Sequence, residues 1–383
     1  LYITDTGELA AFVARARRHA AVGIDTEFMR ERTYFARLCL VQLATDDEAV
    51  IVDPLAVPDL SPLKALLVDK KVVKVLHAGV QDLEIFFREF GVAAAPVFDT
   101  QVAATLAGFP QQVGYGPLVH EMLAEKIDKG DTYSDWTRRP LSETQVAYAL
   151  NDVRYLPEMH RRLREGLESE GRIDWLAKDF ARLEDPATYD PAPREQFRRV
   201  KRISSLNRRQ LGVAREVAAW REEEAMRRDV PKRWVLGDES VVEVARRAPK
   251  TPEDVSSIRG VGDKLSKAAT KSLIAAVEAG LAVPEDELPS IPKRKRIGTD
   301  VDGAVDLMVA LIRKRARQNG VAMPLLASRD DLERLAAGER EGSKLLEGWR
   351  ADMVGNELID LLEGRIELRL SDGELMVKRK GGA

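Results

Sequence analysis

The sequence predicts an α/β domain followed by two all-helical modules. Strand-like and helix-like runs alternate over the first 165 residues. A polar, proline-rich stretch at 183–194 then interrupts the chain, and strand patterns stop after it. Two stretches, 206–281 and 301–365, carry helical periodicity on either side of a second interruption at 284–298. A chain of 383 residues is also too long for one ordinary core. The expected units are an α/β domain over 1–170, a linker and connecting helix over 171–205, a helical module over 206–283 and a linker over 284–300. A second, weaker helical copy with a tail then fills 301–383.

The apolar runs 22–28, 37–44, 48–52 and 72–76 read as strands. The first three follow one another through short polar turns and predict a meander, with later strand–helix alternation completing a mixed sheet. Residues 79–90 read as a helix whose Leu83, Phe86, Phe87 and Phe90 form a core-facing stripe. Ser142-Glu143-Thr144-Gln145 has the capping-box pattern and opens a helix carrying Val146, Leu150 and Val153; Pro157 interrupts it. In the tail, Ile366–Leu370 and Leu375–Val377 flank Gly373 as two short strands.

With 44% hydrophobic and 32% charged residues, the chain has the composition of packed globular domains with solvated surfaces. One cysteine, Cys39, excludes a disulfide framework and a cysteine-rich zinc site; its apolar setting predicts a buried thiol. No membrane-length apolar run and no signal peptide are visible, so a soluble, cytoplasmic protein is expected; a monomer is expected as well. Residues 1–165 hold 19 basic and 24 acidic side chains, whereas 194–300 hold 24 and 17. An acidic part beside a basic part suits a metal enzyme handling a polyanion, and equally suits ordinary variation between solvated faces.

Asp25 and Glu27 stand two apart on the first apolar strand and therefore share a face. Two adjacent carboxylates there repel each other and resist desolvation, and a divalent cation would relieve both. Asp82 lies near the start of the helix after strand 72–76, and Asp152 lies four residues after Tyr148 on one helical face. Hard cations such as Mg²⁺ or Mn²⁺ prefer oxygen donors, and a pair of them can drive phosphodiester hydrolysis. Singly, Asp82 reads as a helix-dipole partner, Tyr148 as a core aromatic and His77 as structural. Their order and local context make the set specific.

Asp25-Thr26-Glu27-Phe28, His77-Ala78-Gly79-Val80-Gln81-Asp82 and Tyr148-Ala149-Leu150-Asn151-Asp152 resemble the three exonuclease motifs of the DEDD superfamily, tyrosine subgroup. Ser134-Asp135-Trp136 and Arg139-Pro140-Leu141-Ser142 are similar to the ribonuclease D family. That resemblance implies a ribonuclease H-like fold, two divalent ions (Mg²⁺ or Mn²⁺) and no small-molecule cofactor. It implies that Asp25 touches both ions, that Glu27 and Asp152 help hold the ion activating water, and that Asp82 supports the second through water. Tyr148 would orient the attacking water, with His77 and Gln81 as supports. Products would be nucleoside 5′-monophosphates from the 3′ end of RNA, with transfer RNA precursors as the substrate class. Phe28, Met29, Trp136 and Arg139 are candidate substrate contacts, each with a packing or solvated-charge alternative.

Leu206–Ala282 resembles the HRDC domain through Leu211, Trp220-Arg221, Asp229-Val230-Pro231, Asp238 and Ile258-Arg259-Gly260-Val261-Gly262. Residues 301–370 occupy the place of a second HRDC domain, with Trp349-Arg350 and Leu358–Leu362 suiting its last helices but without the Gly-x-Gly turn. Between Arg194 and Arg209 stand seven basic residues and one acidic residue, a phosphate-binding stretch or the outer face of a connecting helix. The run Lys293–Arg296 offers RNA contacts or simply keeps a linker extended. A DNA exonuclease and a non-catalytic RNA-binding adaptor remain the rival readings; nothing in the metal motifs reads a 2′-hydroxyl.

Overall fold

The computed structural model describes residues 1–127, 134–262, 265–291 and 301–380. A six-stranded mixed sheet forms the N-terminal part in the order β1-β4-β3-β2-β5-β6, from β1 (Tyr2–Ile3), β2 (Ala21–Met29), β3 (Arg37–Ala44), β4 (Ala49–Val52), β5 (Val73–Leu76) and β6 (Val97–Asp99). Strands β2, β3 and β4 form the expected antiparallel meander, while β5 and β6 extend it in parallel. The short strands β1 and β6 add to the four that periodicity reveals. Helices α1 (Thr6–Ala16), α2 (Ser61–Leu67) and α3 (Val80–Phe90) cover one face, where Phe12, Leu63 and Phe86 pack against Ile24 and Val41. The stripe on α3 is core: Leu83 and Phe86 are buried, and Phe87 and Phe90 pack against the same cluster.

The other face receives α4 (Thr100–Leu106), α5 (Tyr115–Leu123), α6 (Glu143–Arg154) and α7 (Leu156–Ser169). Ser142 caps α6 with both bonds of the capping box, to and from Gln145. The chain breaks at Tyr155, and Pro157 falls in the first turn of α7, where its missing N–H leaves no bond unmade. Cys39 is buried.

The segment 171–205 is structured and packed. Helix α8 (Ala177–Glu184) buries Leu183, and Tyr189 lies in the same core as α1–α3, with its carbonyl accepting from Arg88. Residues Pro193–Arg199 form a 3₁₀ helix whose Phe197 is fully buried in the next module. Prolines here set short helical turns instead of an extended spacer.

The first helical module contains α9 (Arg208–Arg228), α10 (Lys232–Val235), α11 (Asp238–Arg247), α12 (Pro252–Ser256) and α13 (Lys267–Ala282). Arg221 is buried and ties α9 to the Leu236 carbonyl and the Asp238 carboxylate. The Trp220 indole donates to Ser272 on α13. In the Gly260-Val261-Gly262 turn, a Cβ on Gly262 would sit 2.6 Å from the Ser256 Cα, so glycine permits the close approach. Lys293–Arg296 lies outside the described residues.

Beyond residue 300 the succession recurs: a long α14 (Asp302–Gln318), a one-turn α15 (Met323–Leu326) and α16 (Arg329–Ala336). A broken helical stretch, Gly348–Leu362, follows, then a hairpin of β7 (Ile366–Ser371) and β8 (Glu374–Arg379). This module is not separate from the α/β domain. Val305, Met308, Leu311 and Ile312 on α14 share one core with Leu106, Leu118, Leu163 and Leu167. Trp175 and Trp349 stack across the same junction, 4.6 Å between ring centroids, with the Arg350 guanidinium 4.2 Å from the Trp349 ring centroid. Among the described residues no helix is long and apolar enough to cross a membrane.

Candidate active site

Strand β2 presents Asp25 and Glu27 on one face, and a register shift follows at Glu27/Phe28. The break between α6 and α7 rests directly on this strand. A Cβ on Gly23 would lie 2.8 Å from the Leu156 Cβ and 3.1 Å from the Val153 carbonyl, so hydrogen is all that fits there. That close seat brings Asp152 to the strand: ligand oxygens of Asp25, Glu27 and Asp152 lie within 4.8 Å of one another. Gly23→Ala is therefore expected to push the α6–α7 junction off β2. It should cost roughly 1–3 kcal/mol of stability and at least tenfold in cleavage, measured by thermal melts and by 3′-end release; wild-type behaviour in both would refute the role.

Asp82 lines the same cavity, of about 320 Å³, but stands outside the three-carboxylate group. It is largely buried at the third position of α3 and accepts the hydroxyl of Thr26. The preceding turn is held by Asp99, whose carboxylate accepts the amides of Ala78 at 3.2 Å and Gly79 at 2.9 Å. Ala78 has φ +56°, a left-handed conformation that these bonds sustain.

Burial pushes all four carboxyls up. Asp25 lies well above its usual range through burial and then the charges of Asp82, Asp152 and Glu27. Burial and the charges of Asp152 and Asp82 lift Glu27 to about 8, while burial lifts Asp152 to about 6 against a hydrogen bond from Tyr148. Burial and then the neighbouring carboxylates also raise Tyr148, so its hydroxyl keeps its proton at neutral pH and acts as a donor. Mutual repulsion among buried oxygen donors is the condition a divalent cation relieves, and the donor set fits a hard ion.

Comparison with known proteins agrees with this geometry. Residues 1–168 match the 3′-5′ exonuclease family model and 210–277 the HRDC domain model. A ribonuclease D from Gluconacetobacter diazotrophicus is 46% identical over 368 residues, spanning 96% of this chain and 93% of the relative. The chain belongs to the ribonuclease D family. A second ribonuclease D, from Acidiphilium cryptum, is 43% identical across 96% of this chain and 94% of its own length. The crystal structure of Escherichia coli RNase D, an exoribonuclease involved in structured RNA processing, superposes with a TM-score of 0.80 at 31% identity, covering 95% of this chain and 98% of that one. The N-terminal part is thus the ribonuclease H-like exonuclease domain of this family, followed by an HRDC helical domain.

Two candidate substrate contacts are engaged within the fold. Trp136 is only 5% exposed and packs beside Tyr148, with ring centroids 6.1 Å apart, so it braces the tyrosine and offers no face to a base. The Arg139 guanidinium grips Asp53 through Nε and Nη2 and also donates to the carbonyls of Cys39, Trp136 and Arg138. Its donors are consumed within the fold. Phe28 and Gln81 line the cavity, whereas Met29 packs with Cys39 and Leu40. The His77 ring nitrogens reach the Thr100 hydroxyl at 2.9 Å and the Val113 carbonyl at 3.0 Å, and burial lowers its pKa.

One lining group, Tyr115, and two buried neighbours, Asp99 and Gln42, escape motif reading. Asp99 holds the turn before α3. Tyr115 donates to the Asn151 carbonyl and accepts from the Tyr155 amide, closing the gap between α6 and α7. Gln42 pairs with Asp25 across the sheet and is fully buried, yet neither polar atom of its amide has a partner. A glutamine in place of an apolar residue inside a strand like β3 was the one sequence signal available for it.

Proposed function

We propose that this protein is a metal-dependent 3′-to-5′ exoribonuclease that releases nucleoside 5′-monophosphates, with the 3′ ends of transfer RNA precursors as its substrate class. The observation that carries the reading is the convergence of Asp25, Glu27 and Asp152, from two distant segments, within 4.8 Å beside Tyr148. Bound Mg²⁺ or Mn²⁺, as a pair, would supply an activated water, charge relief at the phosphate and help for the leaving oxygen. Asp25, Glu27 and Asp152 would hold these ions directly, and Asp82 through water. The Tyr148 hydroxyl would turn its one proton from Asp152 to the attacking water and orient it, and Trp136 keeps that ring in place. Phe28, on the cavity wall, contacts the terminal nucleotide. His77 and Asp99 fix the turn that delivers Gln81 and Asp82.

In this reading the exonuclease domain spans 1–170 and the HRDC domain 206–283. Residues 301–383 form a second, degenerate HRDC-like module, supported by the recurring long–short–medium order of α14, α15 and α16. The protein acts in the cytoplasm as a monomer.

Matched 5′-labelled RNA and DNA strands, incubated with Mg²⁺ or Mn²⁺, test the proposal. RNA is expected to shorten stepwise from its 3′ end with 5′-monophosphates as products. Preferential loss of DNA would transfer the reading to a DNA exonuclease; RNA binding without shortening in either metal would make the protein an adaptor.

A further inference from the structure

A second cavity, of about 890 Å³, shares no lining residue with the carboxylate site. It opens between the β2–β3 loop and the first helical module, and five cations line it: Arg30, Lys201, Arg202, Lys232 and Arg233. The loop is clamped to the module, since the Tyr34 hydroxyl donates to Glu222 at 3.0 Å and the Asp229 carboxylate accepts the amides of Tyr34 and Phe35. Its wall is therefore a built surface held by both domains.

Charge pairing separates the cations into two sets. Arg30 pairs with Glu84 and Lys232 with Glu222. Lys201, Arg202 and Arg233 are exposed and have no acidic partner among the described residues. Other arginines of the basic stretch are engaged inside the module, as Arg194 is with Glu216 and Arg209 with Glu285. Two exposed carboxylates, Glu31 and Glu239, also line the cleft, so the cations do not form a uniform field. Their presentation is nevertheless fixed: Lys201 and Arg202 sit between buried Val200 and Ile203, and Arg202 is held at φ +64°. Beside Arg233, Trp234 is 47% exposed, an uncovered indole on the same short helix.

Two elements run from the active site to the cleft. Strand β2 carries Glu27 in the site and leads to Arg30 in the cleft, about 10 Å further along at strand spacing. Helix α3 carries Asp82 in the site and Glu84, the partner of Arg30. We infer that this cleft binds the single-stranded RNA segment upstream of the terminal nucleotide, with Lys201, Arg202 and Arg233 on its phosphates and Trp234 stacking on a base. The inference rests on the exonuclease reading above and adds where the rest of the strand lies.

The test compares an RNA decamer with a ribodinucleotide, whose one phosphodiester is the scissile bond, using the full-length protein and the variants Lys201→Ser/Arg202→Ser/Arg233→Ser and Trp234→Ala. Decamer binding, titrated without divalent ions, is expected to weaken at least tenfold in the triple variant. The slope of log affinity against log salt should shrink by about 2, near 0.7 per lost phosphate contact. Trp234→Ala should weaken binding severalfold with the slope unchanged. Dinucleotide cleavage should stay within twofold of wild type in both. Unchanged decamer binding would overturn the inference, and so would a parallel loss on both substrates, which would place the effect in the fold. A wild type that cleaves neither substrate would overturn the exonuclease reading instead, while the binding titration still judges the cleft.

Discussion

Asp25→Asn is expected to abolish release of 3′-terminal nucleotides while raising the thermal stability of the metal-free protein. Loss of one ligand from the centre of the cluster removes several kcal/mol of transition-state charge stabilisation, about a thousandfold or more in rate. The stability gain follows from the same crowding. Asp25 is lifted by burial and by three neighbouring carboxylates, and its replacement relieves all of them. The effect has a pH window. Folded Glu27 keeps its proton to about pH 8, whereas its ordinary value is 4.5; for Asp152 the pair is about 6 and 3.8. Between those limits the folded state binds more protons than the unfolded one, so metal-free wild-type stability falls as pH rises from about 4 to 8. The variant's advantage should accordingly be small near pH 4 and largest at pH 8. Mg²⁺ or Mn²⁺ should restore wild-type stability at pH 8 and do little for the variant. Melting curves in chelator and in metal at both pH values, with a 3′-release assay and an RNA-binding titration expected to change little, give the full pattern. Unchanged cleavage by the variant would remove Asp25 from the site.

Ending the chain at Ile291 is expected to destabilise the exonuclease domain itself, although every proposed metal ligand lies before residue 153. Four apolar side chains of α14 complete the core formed by α4, α5 and α7. Without them a wide apolar face opens to water. The truncated protein should melt well below the full chain, bind a hydrophobic dye such as ANS and aggregate on warming. Leu311→Ala samples the same contact more gently: a buried leucine truncated to alanine costs about 2–5 kcal/mol, or a drop on the order of 5–15 °C in Tm. A truncated chain that melts like wild type and ignores the dye would show that the junction contributes nothing.

What the sequence reveals is what neighbours along the chain decide. The four longer strands, the Ser142–Gln145 capping box and the break at Pro157 follow from alternation, cap chemistry and a missing amide hydrogen. Strands of two and three residues such as β1 and β6 have no periodicity to read. Convergence of Asp25, Glu27 and Asp152 is legible because the residues flanking each one carry a recognisable pattern. The supports are not: Asp99, Tyr115 and Gln42 reach the site through residues 20 to 40 positions away or across a strand. Trp136 and Arg139 stay open in the sequence for a related reason. An indole and a guanidinium suit a nucleic acid, and equally suit a core contact and a buried carboxylate. Apolar stripes on α14 announce that something covers them, without saying that the cover is the first domain.

That shared core has a consequence during synthesis. The surface of α7 is made when residue 169 leaves the ribosome, but its cover on α14 and the last helices is complete only near residue 362. At about 5–20 residues per second the nascent chain carries an open greasy flank for roughly 10–40 s. Chaperone occupancy of ribosome-bound chains should therefore begin soon after α7 emerges and persist until residue 362 is free of the ribosome, making this exonuclease a late-maturing client whose first domain waits for helices nearly 200 residues downstream.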